Sequence, residues 1–226
     1  PASVAVDPLL PTGAAIPSAR RPAPLPSVAC GVREPVCVHH DASVSSALAH
    51  AYLRAFEQAW RDLVHGLGLP APLPDMRLGP SSALDLYLST AYLFAEAPLD
   101  VHVLPDPALG DATRRSAFCR ARPSRHEARR QAVGCVSQAL LLGVDAGETP
   151  FLREALSAYL GSLLGSQTGR DLSAVDALQA NPQLTIAGRD SAPASAGALL
   201  FFEHLDSRLA AAQPGLLPLA LVQHSR

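Results

Sequence analysis

Cys135, His126 and Glu154 are the residue types that a Cys-His-acid catalytic triad requires. A thiolate beside an imidazolium is a competent nucleophile, so Cys135, His126 and Glu154 could form a Cys-His-acid triad. The sequence carries no oxyanion-hole signature, and a disulfide from Cys135 to Cys119 would remove the thiolate. The triad is therefore a minor interpretation of this cysteine.

The four cysteines favour disulfides over free thiols or a zinc site. Cys30 and Cys37 enclose a loop of six residues, small enough for a local bridge, and Cys119 and Cys135 remain as a second pair. No C-x2-C spacing is present, so a structural zinc site is not expected. Two bridges would indicate an oxidising compartment and export.

His39, His40 and Asp41 form the densest group of potential metal ligands. Adjacent residues on a strand point to opposite faces, so both imidazoles cannot serve one ion without distortion. A surface pair is the favoured interpretation. Three further histidines are expected to face solvent or to make local hydrogen bonds: His50, His65 and His102.

Charged residues concentrate between positions 114 and 130, where seven cations are accompanied only by Glu127. They are Arg114, Arg115, Arg120, Arg122, Arg125, Arg129 and Arg130. Nucleic-acid binding would favour interleaved aromatic residues, and only Phe118 is present. Intramolecular pairing or a protein partner is therefore favoured over nucleic acid. Glu154 is expected to be buried or half-buried and to pair with Arg129 or Arg130.

Length and composition predict a single core with no membrane span. The 226 residues, 48% of them hydrophobic, suffice for one domain. No apolar run approaches the roughly 18 residues of a transmembrane helix. The net charge of -2 gives no general attraction for polyanions. The start at Pro1 suggests a mature product from which any export signal has been removed. The apolar stretch 216–222 before Arg226 suggests proteolytic processing or packing against another subunit.

Hydrophobic periodicity predicts an α+β fold, mostly helical, in residues 30–226. Residues 1–29 contain seven prolines and are expected to be extended rather than packed. Alternating apolar and polar residues predict half-buried strands at 83–89 and 99–104, and shorter strands are expected at 36–40 and 117–120. Helical spacing predicts helices at 44–67, 128–142, 149–164, 171–179 and 195–212.

This order of elements resembles secreted bacterial zinc metallopeptidases of the gluzincin type. In that family a helix lies over a small sheet, followed by an HExxH helix and a second helix that supplies a glutamate ligand. Here "LDLYL" at 84–88 resembles the sheet strand. The stretch "AVGCVSQALLLGVDAGETPFLREAL" at 132–156 resembles the two metal helices, and "SAGALLFFEHLDSRL" at 195–209 resembles a later aromatic helix. The resemblance implies a zincin-like fold.

The resemblance places the first ligand on Gly134, the general base on Cys135, the second ligand on Gln138 and the third on Glu154. Catalytic zinc needs three N, O or S ligands and a carboxylate that takes a proton from bound water. Of these four positions only Glu154 fits. The resemblance therefore implies a degenerate member without a metal or other cofactor.

Two functions follow as hypotheses. The first is a secreted, catalytically inactive metallopeptidase-like protein that acts by binding a protein partner or by self-association, with a homo-oligomer as one form. The second is a hydrolase that retains activity through a non-standard site around Glu154.

Overall fold

The chain folds into an α+β structure. The computed structural model describes residues 21–75, 81–92, 99–103, 114–148, 150–165 and 192–209, with residues 176, 180, 215 and 220. Across these ranges it has four α-helices and one five-stranded mixed sheet, so the α+β class is confirmed. None of the helices in these ranges has the length and apolar character needed to cross a bilayer. The predicted helix 171–179 and the stretch 216–222 fall outside the described residues, apart from single positions.

The sheet has its three parallel strands at the centre and an antiparallel strand at each edge. The strands are β1 Ser27–Cys30, β2 Val36–His40, β3 Leu84–Leu88, β4 Leu99–Val103 and β5 Ala117–Ala121. Their order is β1-β2-β3-β5-β4. Strands β2, β3 and β5 are parallel, while β1 pairs antiparallel with β2 and β4 with β5. The sequence predicted all of them except β1.

The helices follow the predicted positions closely. They are α1 Ser46–Trp60, α2 Ala128–Val144, α3 Pro150–Leu163 and α4 Ala192–Leu209. Ser45 caps α1 by accepting a hydrogen bond from the Leu48 amide at its side-chain oxygen, which satisfies one free N–H of the first turn. The same helix continues as a π-helix over Arg61–Gly66.

Helices α1 and α2 cover one face of the sheet, here called the inner face. Val38 and Leu86 of the central strands are fully buried against Phe56 of α1 and Leu140 of α2 in one core. The Tyr52 hydroxyl joins the two helices, because it lies 2.6 Å from the side-chain oxygen of Gln131. Burial raises the pKa of Tyr52 to about 12, so it stays a neutral donor.

Both predicted disulfides are present. Cys30–Cys37 joins β1 to β2 across a tight hairpin, and Cys119–Cys135 joins β5 to α2. The hairpin requires Gly31, since a Cβ there would lie 2.6 Å from the backbone oxygen of Glu34. Neither bridge leaves a free cysteine.

The prediction that β3 is half-buried is wrong, because all five of its residues are buried. Asp85 and Tyr87 point to the side of the sheet away from α1 and α2, here called the outer face, and are 0% and 3% exposed. That face is covered by the chain before β1, where Leu25 packs on Tyr87 and Phe118. Alternation along a strand marks its two faces but does not reveal that both are covered.

Helices α3 and α4 pack together in a second apolar cluster that contains Leu156, Tyr159 and Phe202. The Tyr159 hydroxyl donates to the buried carboxylate of Asp206 at 2.5 Å. Burial and this hydrogen bond raise the pKa of Tyr159. The pair fixes the position of α4 against α3.

Candidate functional site

Helix α2 places Cys135 on a different side from Gly134 and Gln138. Gly134 and Gln138, four residues apart, share one half-exposed side of the helix. Cys135 is fully buried and points to β5, where it is bonded to Cys119. Leu99 of β4 lies over Gly134, and its Cδ2 would be 2.8 Å from a Cβ added there. The triad hypothesis for Cys135 is therefore wrong, since it has no thiol.

Glu154 lies on α3 and is exposed, which corrects the expectation of a buried acid. The expected partners contact other acids: Arg129 lies 3.4 Å from Asp62, and Arg130 lies 2.5 Å from Glu127. The carboxylate of Glu154 instead interacts electrostatically with the guanidinium of the adjacent Arg153.

Two serines that sequence reasoning missed join α2 to α3. The Oγ atoms of Ser137 and Ser157 lie 2.5 Å apart, and both side chains are buried. Ser137 also donates to the carbonyl of Gly134 at 3.2 Å. In the sequence, the only indication of this contact is one serine among the apolar residues that face the core on each helix.

These residues do not fit a catalytic zinc ion. Gly134 has no side chain, Gln138 offers a neutral amide, and the sulfur of Cys135 is held in a disulfide. Across the described ranges, no group of three His, Cys, Asp or Glu side chains is arranged to hold a metal ion. The donors at this junction therefore do not support hydrolysis through a bound zinc ion.

The arginine-rich stretch does not form one surface. Arg114 donates to the carbonyl of Gly143 at 2.8 Å, and Arg129 donates to that of Leu164 at 3.1 Å. Arg120 lies on the outer face of the sheet, with its Nη2 2.7 Å from Asp100. Arg114, Arg120 and Arg129 thus stabilise contacts within the chain, while a protein partner, the other interpretation that the sequence left open, stays a prediction.

A cluster of charged and aromatic residues lies on the outer face of the sheet. The strand register aligns His39 with Tyr87, Tyr87 with Arg120, and Arg120 with Asp100. The His39 ring stacks on the Tyr87 ring with centroids 4.6 Å apart. These side chains come from four strands, so no short motif connects them. The only indication in the sequence was that each of these four strands has a charged or aromatic residue at the positions that alternate with its inner-face residues.

Arg21 binds at the centre of this outer face. Its two terminal nitrogens form ion pairs with Asp75 and Asp85, and one of them lies 3.1 Å from the Tyr87 hydroxyl. Both carboxylates are almost completely buried, at 2% and 0% exposed. The guanidinium also lies over the Phe118 ring, 5.8 Å from its centroid.

His39 is buried in this cluster, so the expectation of a surface histidine pair is wrong for this residue. Its Nε2 lies 3.0 Å from Asp85, and a carboxylate beside an arginine is an acceptor, so Nε2 carries the proton. Burial, and secondarily the nearby charge of Arg21, lower the pKa of His39 to about 4. His39 is therefore neutral near pH 7.

This shift predicts a loss of stability in mild acid. Between about pH 6.5 and 4 the unfolded chain binds a proton at His39 that the folded chain does not, so the free energy of unfolding falls as pH decreases. The expected total is about 3 kcal/mol, from roughly 1.4 kcal/mol per pKa unit. Urea unfolding at several pH values measures it. His39→Gln keeps a donor for Asp85 without titrating, and a variant as pH-sensitive as the wild type would contradict the prediction.

His50, His65 and His102 make local contacts. His50 Nδ1 lies 2.8 Å from the carbonyl of Ser46, and His65 Nε2 lies 3.2 Å from Glu34. His102 stacks on Phe118, and its Nε2 lies 2.8 Å from Asp100. The prediction of solvent-facing or locally bonded histidines is confirmed for these three.

A cavity of about 340 Å³ lies between α2, α3 and α4. Its apolar lining comprises Leu141, Val144, Leu152, Leu156, Phe201, Phe202 and Leu205, and its charged lining comprises Asp145, Glu148 and Arg153. Phe201 is 40% exposed, which is high for a phenylalanine. The Nε of Arg153 is buried and has no hydrogen-bond partner in the part of the chain that the structure describes. Cavities of this size with few polar groups are typical of small-molecule sites.

Comparisons with known proteins leave the resemblance to metallopeptidases resting on residue pattern and element order alone. No protein-family model, no curated protein and no solved structure matches this chain.

Proposed function

We propose that this chain is a secreted, metallopeptidase-like domain that acts by binding an apolar ligand rather than by catalysis. The observation that carries the proposal is the cavity between α2, α3 and α4, whose lining is mostly apolar. Leu141, which lines it, lies three residues after Gln138 and therefore on the same side of α2. The binding site would thus adjoin the positions where the resembling family holds its metal.

The order of helices and strands supports a metallopeptidase-like fold. Helix α1 lies against the sheet, and α2 and α3 follow the last strand in the order that the resemblance predicts. Bonding of Cys135 to Cys119 and the glycine at position 134 favour binding over hydrolysis. The two disulfides are typical of exported proteins.

The charged groups around the cavity define the ligand class. Two carboxylates and one guanidinium give no net attraction for an anion. The buried Nε of Arg153 has no partner among the described residues, so this donor needs an acceptor. We therefore expect an uncharged, apolar ligand that carries one hydrogen-bond acceptor for Arg153, such as an ester or amide carbonyl.

A neutral fluorescent probe tests this site. N-phenyl-1-naphthylamine is expected to bind the wild-type protein with saturation, since the cavity excludes water from its ring. Leu152→Trp places an indole in the cavity and is expected to weaken binding by about tenfold or more. Leu209→Trp is the matched control, because Leu209 is 72% exposed on α4 and does not line the cavity. Equal binding by the two variants would exclude this cavity as the site.

Metal analysis of protein purified without chelator tests the proposal that the chain does not act through a catalytic zinc ion. Zinc is expected well below one equivalent, because the donors at the α2–α3 junction do not complete a coordination shell. Stoichiometric zinc that is lost in Glu154→Gln would instead support the hydrolase.

A further inference from the structure

We infer that the outer face of the sheet carries a guanidinium-binding site, formed by Asp75, Asp85, Tyr87 and Phe118, and that residues 21–26 are its separable ligand. The site is independent of the apolar cavity, which lies between α2, α3 and α4. It is here called the arginine site.

The arginine site requires a cation. Asp75 and Asp85 are buried and converge on the same side chain, Arg21. Two carboxylates at this depth repel each other and lose hydration, so an empty site would be strongly unfavourable. His39 holds the orientation of Asp85 through the hydrogen bond to its second oxygen.

The geometry selects a guanidinium over an ammonium ion. Separate terminal nitrogens of Arg21 reach Asp75 and Asp85, and the same group contacts the Tyr87 hydroxyl. The group also lies over the Phe118 ring, an arrangement that suits a flat, delocalised cation. A lysine ammonium is a compact charge and cannot make these contacts at once.

The segment that brings Arg21 is held by few side chains. Residues 21–26 form no helix or strand, and Pro22, Pro24 and Pro26 have no amide hydrogen to donate to a sheet. Leu25 packs on Tyr87 and Phe118 beside the arginine site. The segment therefore resembles a bound proline-rich peptide with two anchors, an arginine and a leucine four residues later.

Chemical rescue tests the site. Arg21→Ala is expected to lower Tm by about 6–10 °C, the shift that loss of a buried cation gives in a chain of this size. Methylguanidinium at 10 mM is expected to recover at least half of that shift with saturation. Methylammonium and sodium chloride at the same concentration are not expected to recover the Tm shift. Arg33→Ala is the matched control, because Arg33 is an exposed arginine near β1, and its Tm should not respond to methylguanidinium.

A peptide tests the segment as a ligand. Acetylated, amidated RPAPLPS, the sequence of residues 21–27, is expected to bind Arg21→Lys at least tenfold more tightly than the wild type, whose own arginine fills the site. Arg21→Lys retains a positive charge, so it serves if Arg21→Ala does not fold. A peptide with lysine in place of arginine is expected to bind at least tenfold more weakly. Rescue by methylammonium equal to that by methylguanidinium, or equal binding of the two peptides, would overturn the inference.

Discussion

Replacing Asp85 with alanine will lower the free energy of unfolding by about 3–5 kcal/mol, the range for breaking a buried ion pair by removing one partner. Asp85 is 0% exposed and accepts from both Arg21 and His39. Its removal leaves a buried guanidinium with one carboxylate fewer and a buried imidazole donor without its acceptor. Urea unfolding followed by the fluorescence of Trp60, which is 5% exposed, measures the loss.

Asp100→Ala is the matched control on the same face of the sheet. Asp100 also contacts a histidine and an arginine, His102 and Arg120, and these contacts lower its pKa to about 2. Its side chain is 39% exposed, so solvent screens both contacts, and the expected loss is below about 1 kcal/mol. Similar losses in the two variants would show that burial does not control the strength of these pairs.

Removing the Cys119–Cys135 disulfide is expected to cost about 3 kcal/mol. The bridge joins cysteines 16 positions apart in the sequence, and the entropy of the unfolded chain gives about 3 kcal/mol for a loop of this length. Replacing Cys119 and Cys135 together with alanine avoids a reactive thiol, and both positions are fully buried, so lost packing adds to the effect. Urea unfolding under non-reducing conditions measures it.

The double alanine variant at Cys30 and Cys37 is the comparison. Its bridge spans seven positions and is expected to contribute roughly 2 kcal/mol, because a shorter loop restricts the unfolded chain less. Cys30 is exposed and only Cys37 is buried, so this variant loses less packing than the one in which both cysteines are fully buried. A larger loss from this variant than from the buried pair would contradict the chain-entropy explanation.

The elements that the sequence predicted best are those with strong periodicity. Helix α1 has an unbroken apolar stripe and a serine cap, and strands β3 and β4 alternate leucine or valine with polar residues. Strand β1 was missed because its four residues, Ser27–Cys30, follow a run of prolines and are mostly exposed. It pairs with β2 through backbone bonds and a disulfide, neither of which leaves a hydrophobic pattern.

The outer-face cluster was not predictable for a different reason. His39, Asp85 and Arg21 lie far apart in the sequence, and only the strand register brings the first two together. An aspartate between two leucines in β3 indicates a solvent-facing position by every local rule. Its burial depends on Arg21, a residue from a segment whose composition predicts no packed structure. The local pattern therefore could not predict this burial, because it depends on pairing between charges that are distant in the sequence.

The Cys30–Cys37 bridge has a geometric consequence for any exchange of the N-terminal segment between molecules. It fastens β1 to its own sheet, so among the described residues of this segment only 21–26 can leave. Five residues separate Arg21 from Ser27, which gives a tether of about 20 Å at full extension. Two molecules that exchange this segment must therefore place the β1 strand of each within this distance of the arginine site of the other.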